Sequence, residues 1–129
     1  MKVLVVDDSK AMRKYVVGVL RHAFSAEVIE ADSGFEAFRI LARKDFFLIV
    51  TDINMPDING LELIRFLRKS PRHCDTKIIV ITSQTTNKLK ERIYDLGIDG
   101  YLIKPFDPSR LEELVRGFEV PDAGGADEA

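Results

Sequence analysis

Three aspartates, a threonine and a lysine carry the chemistry open to this chain of 129 residues. Asp7-Asp8 follows the apolar run Val3-Leu4-Val5-Val6, and Asp52 ends the run Leu48-Ile49-Val50-Thr51. Thr82 closes Ile78-Ile79-Val80-Ile81, and Lys104 closes Tyr101-Leu102-Ile103. If these runs are parallel strands, their carboxyl ends share one edge and the five side chains converge there. Three carboxylates so placed repel one another, by several kcal/mol per close pair at an effective dielectric of about 20. A divalent cation removes that cost, and hard oxygen donors in this number suit Mg²⁺, which keeps some of its waters. A cation with open positions recruits phosphate; Lys104 offers a mobile positive charge and Thr82 a hydrogen-bond donor to phosphate oxygens. The chemistry implied is phosphoryl transfer by positioning and charge neutralisation.

The elements that must position these groups follow from the apolar periodicity, which switches repeatedly between a strand's and a helix's. Lys2 to Val6, Ala26 to Ala31, Phe46 to Asp52, Lys77 to Thr82 and Asp99 to Lys104 read as strands. The third is apolar without alternation, as in a strand buried on both faces of a parallel sheet. Between them, Lys10 to Phe24 reads as a helix capped by Asp8 or Ser9, with Met12, Val16, Val19, Leu20 and Ala23 inward. Ser33-Gly34-Phe35-Glu36 has capping-box spacing and opens a second helix with Ala37, Phe38 and Leu41 inward. Met55-Pro56 turns the chain out of the sheet, and Gly60 is expected to supply a permissive backbone conformation before a helix to Lys69. Thr85 to Leu96 is the fourth helix, ended by Gly97, and Asp107-Pro108 starts the fifth, which carries Leu111, Leu114, Val115 and Phe118. Strands alternating with helices make one α/β domain with a parallel sheet over residues 1–118. Burial favours strands one, three and four in the middle, and the residues alone leave the strand order open. Residues 119–129 hold Pro121, Gly124 and Gly125 with little to bury, and are expected to be a disordered acidic tail.

Bulk properties narrow the function classes. The formal net charge is −2, and residues 1–118 carry 17 acidic against 19 basic side chains. Such a near-balanced surface points away from nucleic acid and membrane surfaces. Cys74 is the only cysteine, which excludes an internal disulfide and fits a reducing compartment. His73 beside it, in the polar stretch Ser70 to Asp75, reads as loop, since adjacency in sequence does not make nucleophile–base geometry. His22 reads as a surface residue. Two isolated histidines argue against zinc. No signal-peptide core or membrane-spanning run is visible, so the expectation is a cytoplasmic monomer.

Four segments, Val6-Asp7-Asp8-Ser9, Asp52-Ile53-Asn54-Met55-Pro56 with Gly60, Ile81-Thr82-Ser83, and Tyr101-Leu102-Ile103-Lys104-Pro105-Phe106, stand in order at characteristic spacings. Each is weak alone; together the chain resembles the receiver domains of two-component response regulators, the CheY-like superfamily, from residue 1 to about 118. The resemblance implies a (βα)5 flavodoxin-like doubly wound sheet of strand order 2-1-3-4-5. It implies that Asp52 accepts a phosphoryl group from a histidine kinase or phosphotransfer protein. Asp8 and Asp52 would ligate Mg²⁺, or Mn²⁺ in its place, with the backbone carbonyl of Asn54, and Asp7 would act mainly through a bound water. Lys104 would pair with phosphoryl oxygens, and Lys104-Pro105 would be a cis peptide. Thr82 and Tyr101 would form a switch pair, the hydroxyl moving toward phosphate and the ring turning inward. Ser83 would narrow phosphate access, and Gln84 stands where the lifetime of the acyl phosphate is tuned.

The leading expectation is therefore a stand-alone signalling switch of chemotaxis, motility or phosphorelay type. Its output would be protein binding on the face of helix four, strand five and helix five (residues 85–118), where Lys88, Lys90 and Arg92 lie. It would be no enzyme beyond its own phosphotransfer and autodephosphorylation. A phosphorylation-independent adaptor would be expected to have lost Asp7, Asp8, Asp52 or Lys104, and all are present. A Mg²⁺-dependent aspartyl phosphatase needs a second acid/base carboxylate close after its nucleophile, where this chain has Asn54. A flavin binder lacks support, as no tryptophan or hydroxyl-rich phosphate loop follows the first strand.

Overall fold

Alternate residues of each central strand face opposite sides of the sheet, and both sides are apolar, so the chain has to supply helices to both. In the computed structural model, which describes residues 1–83 and 86–118, it does so. The elements are β1 (Lys2–Val6), α1 (Lys10–Phe24), β2 (Glu27–Ala31), α2 (Gly34–Leu41), β3 (Leu48–Thr51), α3 (Gly60–Lys69), β4 (Lys77–Thr82), α4 (Asn87–Asp95), β5 (Gly100–Ile103) and α5 (Pro108–Arg116). All strands are parallel, in the order β2-β1-β3-β4-β5. Leu4, Val6, Ile49, Ile78 and Val80 pack with α2, α3 and α4. Val3, Val5, Leu48, Val50, Ile79 and Ile81 pack with α1 and α5. Each of these fully buried aliphatic side chains contributes about 1.5–3 kcal/mol of transfer free energy, which makes the three central strands the rigid floor of the domain. Among the described residues no helix is long and apolar enough to cross a membrane.

The order reverses direction between β1 and β3: the chain leaves β1 toward β2, returns to β3, and continues toward β5. The crossovers therefore diverge above the β1–β3 boundary and leave a crevice at their carboxyl ends. The register aligns that edge, pairing Val6 with Thr51 and Thr82 with Ile103.

Several boundaries are tighter than the sequence pattern suggests. β3 ends at Thr51 and β5 at Ile103, so Asp52 and Lys104 stand just beyond the ladder, where side chains turn into the crevice. β2 begins at Glu27. α4 begins at Asn87, with Thr86 as its cap accepting from the Leu89 amide; Thr85 and Gln84, and the tail from residue 119, lie outside the described residues. Val17 is buried on α1 in addition to the expected face, whereas Met12 and Ala23 are only half-buried. Ser9, not Asp8, caps α1. Asp107 holds the N-cap position of α5 without a side-chain capping bond. Gly97, at φ +94°, ends α4 as expected.

One local reading needs correcting. Gly60 is not required for an unusual backbone angle, since Gly97 is the one glycine with positive φ among the described residues. It is required for space: a Cβ there would lie 2.7 Å from the Ile53 Cα and closer still to the Asp52 carbonyl. His73 lies in the turn after α3, as the loop reading expects, yet its side chain is buried. It is 2% exposed, its Nε2 sits 2.9 Å from the Leu41 carbonyl at the end of α2, and its ring lies against Phe66.

Candidate functional site

Asp7 is the first residue past β1. Its amide donates to the Ala31 carbonyl at 3.1 Å, continuing the ladder by one bond. Its Oδ1 accepts from the Ser9 amide at 2.9 Å, and the Ser9 hydroxyl in turn accepts from the Met12 amide at 3.2 Å. One serine thus closes the turn after β1 and opens α1. Asp8, between them, is exposed. Across the switch point, the Asp52 amide donates to the Val6 carbonyl at 3.0 Å. Asp52 Oδ1 accepts from the amides of Ile53 at 2.6 Å and Asn54 at 3.1 Å. Asn54 itself is exposed in the loop.

Lys104 joins these two strand ends. Its amide donates to the Thr82 carbonyl at 2.9 Å, and Lys104-Pro105 is a cis peptide. Its Nζ donates to Asp52 Oδ2 at 2.8 Å and to Asp7 Oδ2 at 3.3 Å. Asp7 and Asp52 are only 3% and 7% exposed, so both are largely shielded from solvent. Burial is the main influence on Asp7 and, with the nearby Asp52 charge, raises its pKa above the usual carboxylate value against the Ser9 amide and Lys104. Burial also works against the Lys104 charge. The hydrogen bond to Asp52 and the charges of Asp52 and Asp7 outweigh it and hold the ammonium's pKa above its ordinary value.

Each of Asp7, Asp8 and Asp52 offers a carboxylate oxygen, and these lie within 4.8 Å of one another. One ammonium against three carboxylates leaves the cluster a net two charges negative. All-oxygen donors, the charge excess and an exposed member give this set the character of a hard divalent-cation site, and Mg²⁺ fits it. The expected convergence of Asp7, Asp8, Asp52 and Lys104 is therefore present in the fold.

Thr82 is fully buried at the end of β4, one strand from Asp52. Ser83 follows it, exposed. Tyr101 lies away from the carboxylates: half-buried on β5, it stacks on Tyr94 of α4 at 6.1 Å between centroids, with Lys90 Nζ 5.6 Å from its ring centre. Burial, then Tyr94, push its hydroxyl pKa up.

Three contributors escaped the sequence reading. Arg13 of α1 donates from Nη1 to the Asp7 carbonyl at 2.8 Å and from Nε to Glu30 Oε1 at 3.1 Å. Glu30 also takes Lys14 at 2.8 Å, and Lys14 and Arg13 lower its pKa. Asp57, five residues after Asp52, accepts from the amides of Gly34 at 3.1 Å and Phe35 at 2.9 Å. It clamps the β3–α3 loop to the N-terminus of α2, and those amides lower its pKa, that of Phe35 most. A hint of Arg13 was available, as it stands one helical turn after Ser9; nothing local marks Asp57 as the cap of another helix.

The chain matches the response regulator receiver domain over residues 3–116. It is 37% identical over 116 residues to a chemotaxis protein CheY homolog of Campylobacter jejuni, covering 89% of each chain. Among solved structures it resembles the chemotaxis response regulator CheY4 of Vibrio cholerae, with TM-score 0.82 and 34% identity over 89% of this chain and 95% of the other. A receiver domain of a Pseudomonas aeruginosa sensor histidine kinase, described with a magnesium ion coordinated in its active-site cleft, superposes with TM-score 0.79 at 25% identity. There the coverage is 89% of this chain and 94% of the other.

Proposed function

This chain belongs to the response regulator receiver family, and on that premise we propose that it is a signalling switch phosphorylated on Asp52. The observation that carries the reading is the Lys104 ammonium bridging Asp52 at 2.8 Å and Asp7 at 3.3 Å. It is a positive charge, held against burial by two carboxylates, beside an aspartate whose carboxylate is fixed by the two amides that follow it. The donor is a phosphohistidine on a sensor kinase or phosphotransfer protein. A carboxylate oxygen of Asp52 forms the new P–O bond as the P–N bond breaks and the imidazole leaves.

The Ile53 and Asn54 amides hold the Asp52 carboxylate in one orientation for that attack. Lys104 exchanges Asp52 for the incoming phosphoryl oxygens, and its flexible stem makes the move short. Asp7, Asp8 and Asp52, with the backbone carbonyl of Asn54, are the groups that would hold Mg²⁺ or Mn²⁺. When bound, the cation neutralises charge on the carboxylates and the transferring group. The protein's own catalysis extends only to its phosphotransfer and the hydrolysis of its acyl phosphate.

Phosphate adds charge at the sheet edge, and the buried Thr82 hydroxyl moves to it. Tyr101 then leaves its stack on Tyr94 and turns inward, changing the surface of α4, β5 and α5. That surface carries a groove of about 360 Å³ lined by Lys90, Tyr101, Ile103, Phe106 and Arg110. A protein target that prefers the inward Tyr101 state would bind there, to a cytoplasmic monomer.

The test is incubation with a small acyl-phosphate donor and Mg²⁺, followed by intact-mass analysis. One phosphoryl group, labile to base and hydroxylamine, is expected on the wild type and none on Asp52→Asn. Undiminished labelling of that variant would place the acceptor elsewhere.

A further inference from the structure

We infer that Arg13 is a positioning residue for the acidic site: its guanidinium fixes the Asp7–Asp8 peptide so that the Asp8 carboxylate faces those of Asp7 and Asp52. The inference rests on reading those three carboxylates as the Mg²⁺ site. Asp7 is tied by its amide to Ala31 and by its carboxylate to Ser9 and Lys104, and Asp52 is tied by two amides and Lys104. Asp8 is exposed, and its direction depends on the backbone that carries it. The Asp7 carbonyl belongs to the same rigid peptide plane as the Asp8 amide, so an N–H fixed on that oxygen fixes the line along which the chain leaves for Asp8.

Arg13 Nη1 supplies that N–H at 2.8 Å. The guanidinium is not free to drift. Nε is held by Glu30 Oε1 at 3.1 Å, and Lys14 holds the other oxygen of Glu30 at 2.8 Å. The arginine side chain is only 14% exposed. A planar fork therefore ties three elements, α1, the turn after β1 and the end of β2, at the backbone of the metal-facing turn. Lysine has the charge but not two N–H groups in a fixed plane, and cannot reach both partners in this way.

Charge alone predicts the opposite effect, which makes the inference testable. Removing a cation near three carboxylates should tighten Mg²⁺ binding, whereas releasing the Asp7–Asp8 peptide should weaken it. Mg²⁺ binding is measured by calorimetry on the full chain, for wild type, Asp8→Ala, Arg13→Ala and Arg13→Lys, with thermal melting in the absence of Mg²⁺ alongside. Both Arg13 variants are expected to bind Mg²⁺ on the order of tenfold more weakly, the usual size for partners that orient a metal's ligands. Arg13→Lys at wild-type affinity, or Arg13→Ala binding more tightly, overturns the role of Arg13. Should Arg13→Ala fail to fold, Arg13→Lys decides alone, because a pure charge effect leaves it unchanged. Wild type that binds no Mg²⁺, or binding that survives in Asp8→Ala, overturns the metal reading itself and the role of Arg13 with it.

Discussion

Gly60→Ala adds one methyl group and should cripple the site without touching any charged residue. The new Cβ would lie 2.7 Å from the Ile53 Cα and closer still to the Asp52 carbonyl, whereas ordinary contact begins near 3.4 Å, so helix and loop must separate by at least about 0.7 Å. Both opposing atoms are backbone, and neither has a rotamer to yield. Nor can α3 simply withdraw, because the Gly60 amide donates to the Ile53 carbonyl at 2.8 Å. Overpacking of this kind costs about 1–3 kcal/mol, and weakening that hydrogen bond adds about 1 kcal/mol. A loss near 3 kcal/mol corresponds to a fall of roughly 10 °C in melting temperature for a domain of this size. The displaced backbone is that of Asp52 and Ile53, and the Ile53 amide is one of the two that orient the carboxylate. Displacements approaching 1 Å cost reactions up to about 10²-fold, so phosphorylation by a small donor should slow at least tenfold even well below the melting temperature. Thermal melting and initial labelling rate, measured on the same preparation, check both. A variant that melts lower but labels at the wild-type rate would show that the loop absorbs the methyl away from Asp52, and the steric coupling would be wrong.

Asp7 and Thr82 lead to two further predictions. Because burial raises the Asp7 pKa, the folded state binds its proton more tightly than the unfolded chain. Stability therefore falls as pH rises from about 3.8 to the folded value, and the whole cost persists at neutral pH. Asp7→Asn without divalent cation should melt above wild type at pH 7, by a margin that shrinks toward pH 4. Saturating Mg²⁺ should narrow or reverse the gap, because it stabilises wild type by mass action; melting below wild type at every pH without Mg²⁺ would refute the assignment. Thr82→Ala should still be phosphorylated on Asp52, since the acceptor and Lys104 remain. It should lose most of the change in hydrogen exchange over α4, β5 and α5 that an acyl-phosphate mimic produces in wild type, and loss of labelling with the fold intact would make Thr82 part of the chemistry.

What the sequence determined by itself was the alternation of elements and the identity of the reacting groups. Uninterrupted apolar runs such as Leu48 to Val50 and one-faced helical patterns such as Leu63, Ile64 and Leu67 are local signals, and burial follows from them directly. Asp7, Asp52, Thr82 and Lys104 were legible because each stands at a strand's carboxyl end, and parallel strands bring such ends to one edge. The strand order came from family resemblance rather than from periodicity, which is indifferent to which strand lies beside which. The tertiary structure alone decided how the site is held. Arg13 reaches Glu30 across 17 positions, Asp57 caps a helix that begins 23 residues earlier, and His73 bonds to Leu41 across 32. It also decided that Gly60 is there for space. A hydrogen bond or a steric limit between distant segments depends on how two backbones approach. That approach is a sum over the packing of every layer between them, and no window of sequence contains it.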